Sequence, residues 1–196
     1  GSDKVAQLKE RLEDLKSRIG SAVEDMRKAC QEKKYYKARK QLENIKKFSK
    51  SYTEPALEEE IKNGIETAEK FKKKAQSEKN EDEIVDACTK AYEACNDCPG
   101  VKEIIARYPP AEPTELVVVA DSNSKVNVLS WKKSATKGLL YYSVVRKEGA
   151  IPISVQDGTL VGRVSMCSIN DQNVVPGVQY FYAIFAERAG VYSNAL

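Results

Sequence analysis

The sequence predicts a multidomain α plus β chain, with antiparallel helical hairpins in its N-terminal half and an all-β sandwich in its C-terminal half. Three observations carry this reading. Apolar residues recur every three or four positions as far as about residue 108. Prolines then interrupt the chain at Pro109, Pro110 and Pro113. Beyond them the apolar residues alternate, in short runs separated by turn-forming pairs. The predicted parts are a helical unit at 1–108, a proline-rich linker at 109–113 and a sandwich at 114–196.

Val5, Leu8, Leu12, Leu15, Ile19, Ala22 and Met26 open the helical half, spaced alternately three and four apart. Such spacing lays one stripe along a helix of about seven turns, capped by Ser2 or Asp3. The stripe suits the first arm of a hairpin; a homodimer through helix 5–30, as a coiled coil, is the alternative. A second helix runs from about Lys33 to Ser49, with Tyr35, Ala38, Leu42, Ile45 and Phe48 inward. Pro55 fits the first turn of a third helix, where its missing N–H costs nothing. Leu57, Ile61, Ile65, Ala68, Phe71 and Ala75 form that helix's stripe. Asn80 and Glu83 make a capping box for a fourth, which puts Ile84, Ala87, Cys88, Ala91 and Cys95 on one face. A short fifth helix after Pro99 uses Val101, Ile104, Ile105 and Tyr108. Long helix, loop, shorter helix thus occurs twice. Around Tyr35–Lys40 and Ala91–Cys95 the pattern loosely resembles tetratricopeptide-type (TPR-like) pairs, although the full consensus is absent and the spacing is longer.

Tyr108-Pro109-Pro110-Ala111-Glu112-Pro113 cannot continue a helix, because each proline removes a donor and restricts its predecessor. An extended, semi-rigid spacer is expected there. Strands are expected at 115–120, 125–132, 139–147, 159–165, 178–187 and 191–194. The turns between them are Asp121-Ser122-Asn123-Ser124, Lys137-Gly138, Glu148-Gly149, Asp157-Gly158, Pro176-Gly177 and Arg188-Ala189-Gly190. Short strands at this spacing indicate an antiparallel sandwich.

Pro113 followed by Val126-Asn127-Val128-Leu129-Ser130-Trp131 resembles the entry and second strand of a fibronectin type III domain. Tyr141–Lys147 resembles its third strand, and Val175-Pro176-Gly177 leading to Tyr180-Phe181-Tyr182 resembles its tyrosine corner. The resemblance spans nearly all of 111–196. It implies structural roles for Trp131, Tyr142 and Tyr180, and a binding or spacer module without catalytic chemistry. An immunoglobulin domain with its inter-sheet disulfide fits worse, since this half has only Cys167. Where adhesive members carry Arg-Gly-Asp, this chain has Glu187-Arg188-Ala189-Gly190.

Composition narrows the function classes. Net charge is only +3, and both halves are close to balanced, so no basic field recruits nucleic acid. Lys33-Lys34-Tyr35-Tyr36-Lys37 and Lys70–Lys74 mix basic and aromatic residues, but acidic clusters interrupt them and the aromatics fall inward. No apolar run is long enough to span a membrane. Histidine is absent, which removes the commonest general base and zinc ligand. Cys95-Asn96-Asp97-Cys98, with Cys88 upstream, could pack, hold zinc or cycle as a dithiol. Packing is the preferred reading, because Cys88 and Cys95 lie on the apolar stripe.

No catalytic, cofactor-binding or metal site is therefore expected, and the chain is read as not an enzyme. The expected role is a protein–protein interaction or scaffold segment of a larger, bacterial-type protein, with a spacer in a cell-surface or secreted protein as the alternative. Gly1-Ser2 resembles the scar of a cleaved tag, so an excerpt of a longer chain is expected. Five cysteines, an odd number, favour the cytoplasm slightly over the cell surface or secretion. Lys137 and Arg188, on loops of the sandwich, are the candidate partner-binding residues.

Overall fold

A computed structural model describes residues 2–121, 125–138 and 140–196, and the chain divides into two compact units, 1–104 and 105–196. The expected turn residues Ser122-Asn123-Ser124 and the expected strand start at Leu139 lie outside the described residues.

The first unit is built from α1 (Ser2–Gln31), α2 (Tyr35–Phe48), α3 (Pro55–Ser77) and α4 (Glu81–Ala94), with the short α5 (Val101–Ile105) at its end. Its helices pack as α1 on α2 and α3 on α4, joined by short loops, and α2 and α3 meet between the two hairpins. Met26, Ala38, Ile45, Ile61, Ala68 and Cys88 are among the buried residues of this core. Asn80 caps α4 as its sequence suggests, its side chain accepting from the Glu83 N–H. Asp3 lies inside the first turn of α1, so the expected cap there is not formed by it.

Two inward assignments need correction. Val5, Leu8 and Leu12 are 52%, 64% and 51% exposed, so only the C-terminal half of the α1 stripe packs within the chain. Phe48 is 55% exposed and not inward. The reason is length: 14-residue α2 spans about half of 30-residue α1 and ends at Phe48.

Among the described residues the second unit holds seven strands: β1 (Thr114–Asp121), β2 (Val126–Lys132), β3 (Tyr141–Glu148), β4 (Thr159–Val164), β5 (Ser168–Asp171), β6 (Tyr180–Arg188) and β7 (Val191–Tyr192). They form one sheet in the order β1-β2-β5 and another in the order β4-β3-β6-β7, with antiparallel pairs throughout. Placing the fourth strand beside the third, in the opposite sheet from the first two, distinguishes this sandwich from the constant-type immunoglobulin arrangement. It is the fibronectin type III order.

Alternation sorts the side chains. Tyr142, Val144, Tyr182, Ile184 and Ala186 face Leu129 and Trp131 across the sandwich. On the outer face of the same sheet, Val145, Ala183 and Phe185 are covered by Val155 and Ala195, which explains why β6 is buried on both faces. The sequence reading missed β5: four residues with Ile169 as the sole apolar one carry no readable period. Pairing with β2 creates it.

Candidate functional site

Among the described residues the sandwich has an apolar cleft of about 510 Å3 between the inner side of β1 and the loop entering β6. Leu116, Val118 and Ala120 line one wall, because alternate residues of a strand share a face. Val175, Pro176 and Val178 line the other. Tyr182 and Asn127 add a polar end, the Asn127 amide donating to the Tyr182 hydroxyl at 2.8 Å. That hydroxyl donates in turn to Asp171 at 2.9 Å. Asp171 also receives both short contacts of Arg146 Nη1, at 2.9 Å each, so one ion pair ties the two sheets together. Burial pushes the Tyr182 hydroxyl up to about 12, which keeps it a neutral donor.

The strand that lines the cleft is a sheet edge. β1 pairs with β2 on one side and, among the described residues, with no strand on the other. A bulge between Thr114 and Val117, with Glu115 at φ +55°, interrupts only its beginning. Beyond it Val117-Val118-Val119-Ala120 carry neither a charge nor a proline before Asp121 ends the strand, so apart from its two ends this edge lacks the charges and prolines that commonly blunt one. Val117 and Val119 are 52% and 58% exposed, and with Val128 of β2 they make an apolar patch on the outer face. Three consecutive exposed valines were not singled out in the sequence reading, since β-branched residues in a strand look like core.

The residues expected to matter occupy different places. Lys137 is exposed in the loop between β2 and β3, beside a separate shallow cleft formed with Thr136 and Gly138. Arg188 is the last residue of β6, half-buried, and its Nη2 donates to the Tyr108 carbonyl at 2.8 Å. Neither residue lines the cleft beside β1. Trp131 is buried and meets Tyr142 edge-on, ring centroids 5.6 Å apart. The Tyr142 hydroxyl accepts from the Ser134 N–H at 3.0 Å. Tyr180 accepts from the Val175 N–H at 3.2 Å, holding the loop that forms one wall of the cleft, while Arg146 stacks over its ring. The proline segment is strapped to the sandwich: the Ala111 N–H donates to Thr136 Oγ1 at 2.7 Å, and Ser134 Oγ donates to the Ala111 carbonyl at 2.6 Å.

In the helical unit the Cys95–Cys98 stretch forms a clasp. Asp97 accepts from the N–H groups of Tyr36 and Lys37, at 3.1 and 2.8 Å, and so caps α2 from the far hairpin. The Asn96 N–H donates to the Lys33 carbonyl at 3.0 Å, and its side-chain amide donates to the Glu32 carbonyl. Lys33 reaches back to the Glu93 carbonyl at 3.1 Å. Cys95 and Cys98 are buried beneath this loop, and all five cysteines are free thiols. Burial pushes Cys95 up to about 12 and Cys30 up to about 11, the reverse of what a reactive thiolate needs. Among the described residues, no three His, Cys, Asp or Glu side chains gather as metal ligands would, and no helix is long and apolar enough to cross a membrane.

No protein-family model matches the chain, and no curated protein matches it. Among solved structures it is similar to an Fn3-like protein from Clostridium thermocellum, at 28% identity over 44% of this chain and 84% of that one, with a TM-score of 0.36. It is also similar to titin kinase with its flanking domains, at 20% identity over 44% of this chain but only 16% of that one, with a TM-score of 0.37. A third similarity, to a fourth FNIII domain from human, has 16% identity over 44% of this chain and 75% of that one, with a TM-score of 0.35. The fold of the C-terminal part is assigned by its own strand order, β1-β2-β5 against β4-β3-β6-β7, which is that of a fibronectin type III sandwich.

Proposed function

We propose that the chain is a non-catalytic interaction segment of a multidomain protein, and that its sandwich binds an extended peptide along the open edge of β1. The observation that carries this is the uncharged edge Val117–Ala120 beside an apolar cleft. An added strand would satisfy the free backbone groups of β1, and alternate side chains would enter the cleft against Leu116, Val118 and Val178. Burial raises the thiols of Cys30, Cys88, Cys95 and Cys98, which disfavours their thiolates, and with the absence of histidine this supports a role without catalysis.

Selection from a random peptide display library on the intact chain tests this. Enriched peptides should show alternating apolar residues and should protect the amides of 117–120 from hydrogen exchange. Val118→Lys, at the mouth of the cleft, should cut their affinity by about tenfold or more. Peptides that bind the variant equally, or that protect other amides, would sink the proposal.

A further inference from the structure

The exposed half of α1 carries more information than its hydrophobicity. In heptad terms Val5, Leu12, Ile19 and Met26 occupy a positions, and Leu8, Leu15, Ala22 and Ala29 occupy d positions. From Ile19 onward this seam is consumed inside the chain, with Met26 and Ala29 buried at 1% and 2%. Before Ile19 it opens out, with Leu15 half-buried and Leu12, Leu8 and Val5 exposed, past the point where α2 ends at Phe48.

The residues flanking the uncovered seam are all basic. Lys4, Arg11 and Arg18 occupy g positions, and Lys9 and Lys16 occupy e positions. Acids are present in the same stretch, but Asp3, Glu10, Glu13 and Asp14 sit at b, c and f, on the far side. Lys16 and Arg18 pair with Glu13 and Asp14 at 2.9 and 3.7 Å, yet their side chains stay 61% and 67% exposed. The flanks set partner choice in a coiled coil, since e and g residues meet across the seam.

We infer that residues 4–18 of α1 take up a separate amphipathic helix with apolar a and d residues and acidic flanks. A second copy of this chain fits poorly in either orientation. Side by side in parallel, Lys4 would face Lys9 and Arg11 would face Lys16; antiparallel, g would face g and e would face e, again basic on basic. An anionic membrane surface would welcome the charges. The apolar face, however, is only one a/d seam wide, and residues 4–18 contain no aromatic side chain to anchor in an interface. A helix fits because the seam continues one already filled by α2 within the chain. Phe48, exposed at the end of α2, and the cleft of about 310 Å3 between it, Arg18 and Ile19 mark where the incoming helix would abut it.

This inference does not depend on the sandwich cleft, and Val118→Lys should leave it untouched. The test uses the intact chain and a synthetic three-heptad peptide with Leu at a and d and Glu at e and g, beside a twin with Lys at e and g. The Glu peptide should bind at least about tenfold tighter than the Lys peptide, and the more so at low salt. Leu8→Asp with Leu12→Asp should abolish binding while the helical signal and melting temperature hold, since both side chains lie outside the core. Lys9→Glu with Arg11→Glu and Lys16→Glu should reverse the preference. Equal binding of the two peptides would overturn the inference. So would sedimentation of the chain as a dimer that Leu8→Asp dissociates, or co-flotation with phosphatidylserine vesicles without any peptide preference.

Discussion

Gly64 and Tyr35 show how one position can invert an ordinary rule. A Cβ added to Gly64 in α3 would lie 2.2 Å from Cδ2 of the Tyr35 ring. The ring cannot retreat freely, because its hydroxyl donates to Glu60 at 2.8 Å and its body is buried. In an open helix, Gly→Ala stabilises by about 0.5–1 kcal/mol. Gly20 in α1 is such a place, with nothing within 4 Å of its would-be Cβ. Gly20→Ala should therefore raise stability by about that amount, while Gly64→Ala should lower it by about 1–2 kcal/mol as overpacking outweighs propensity. Urea titrations of the two variants, read by helical circular dichroism, check the opposite signs. Sequence alone could not have separated these glycines: both lie in helix interiors, and only the packing of α2 on α3 brings Tyr35 over one of them.

At the scale of elements, the sequence was most legible where periodicity and turn chemistry agreed. Asn80 with Glu83, Pro55, and the alternating Leu129–Trp131 stretch each named an element that the structure contains. Periodicity cannot say how far a neighbour reaches, so the α1 stripe reads as one continuous seam although α2 covers only about half of it. Nor could it find the cleft, whose walls at 116–120 and 175–178 are joined only by the sandwich topology. The Cys95–Cys98 motif attracted attention for its thiols, whereas the working residue between them is Asp97. Removing its carboxylate leaves the first amides of α2 without acceptors. Asp97→Ala should cost about 1–2 kcal/mol, and Asp97→Asn much less, because the amide oxygen can still accept. Thermal melts of the two variants against the parent chain would show whether the order holds.

For the whole molecule, acid should act unevenly. In the helical unit Glu54, Glu58 and Glu69 are held below the usual carboxylate value of 4.5 by hydrogen bonds: from Tyr52 and Arg27, from Lys46, and from Lys72 and Tyr36 respectively. Glu83 is shifted the opposite way by its neighbour Glu78 and offsets part of this. In the sandwich, Asp157 is lowered by Lys147. A lowered carboxylate stabilises the fold fully above its unfolded value, and that contribution vanishes as pH falls through the folded one. Helical content should thus begin to weaken below about pH 4.5, before the sandwich does. The single tryptophan, Trp131, lies in the sandwich, so its fluorescence and the helical signal follow the two units separately in one acid titration. Coincident transitions would count against this uneven response.

The clasp at Asp97 also imposes an order in time. The amides it caps belong to Tyr36 and Lys37, 61 and 60 residues earlier in the chain. At ribosomal rates of about 5–20 residues per second, α2 is made roughly 3–12 s before its own N-terminal acceptor exists. The first hairpin therefore emerges with its loop end unsealed, and the later hairpin completes it on arrival. A nascent chain from which residue 97 has not yet emerged should hold α2 loosely, and one long enough to free it from the ribosome should hold α2 firmly.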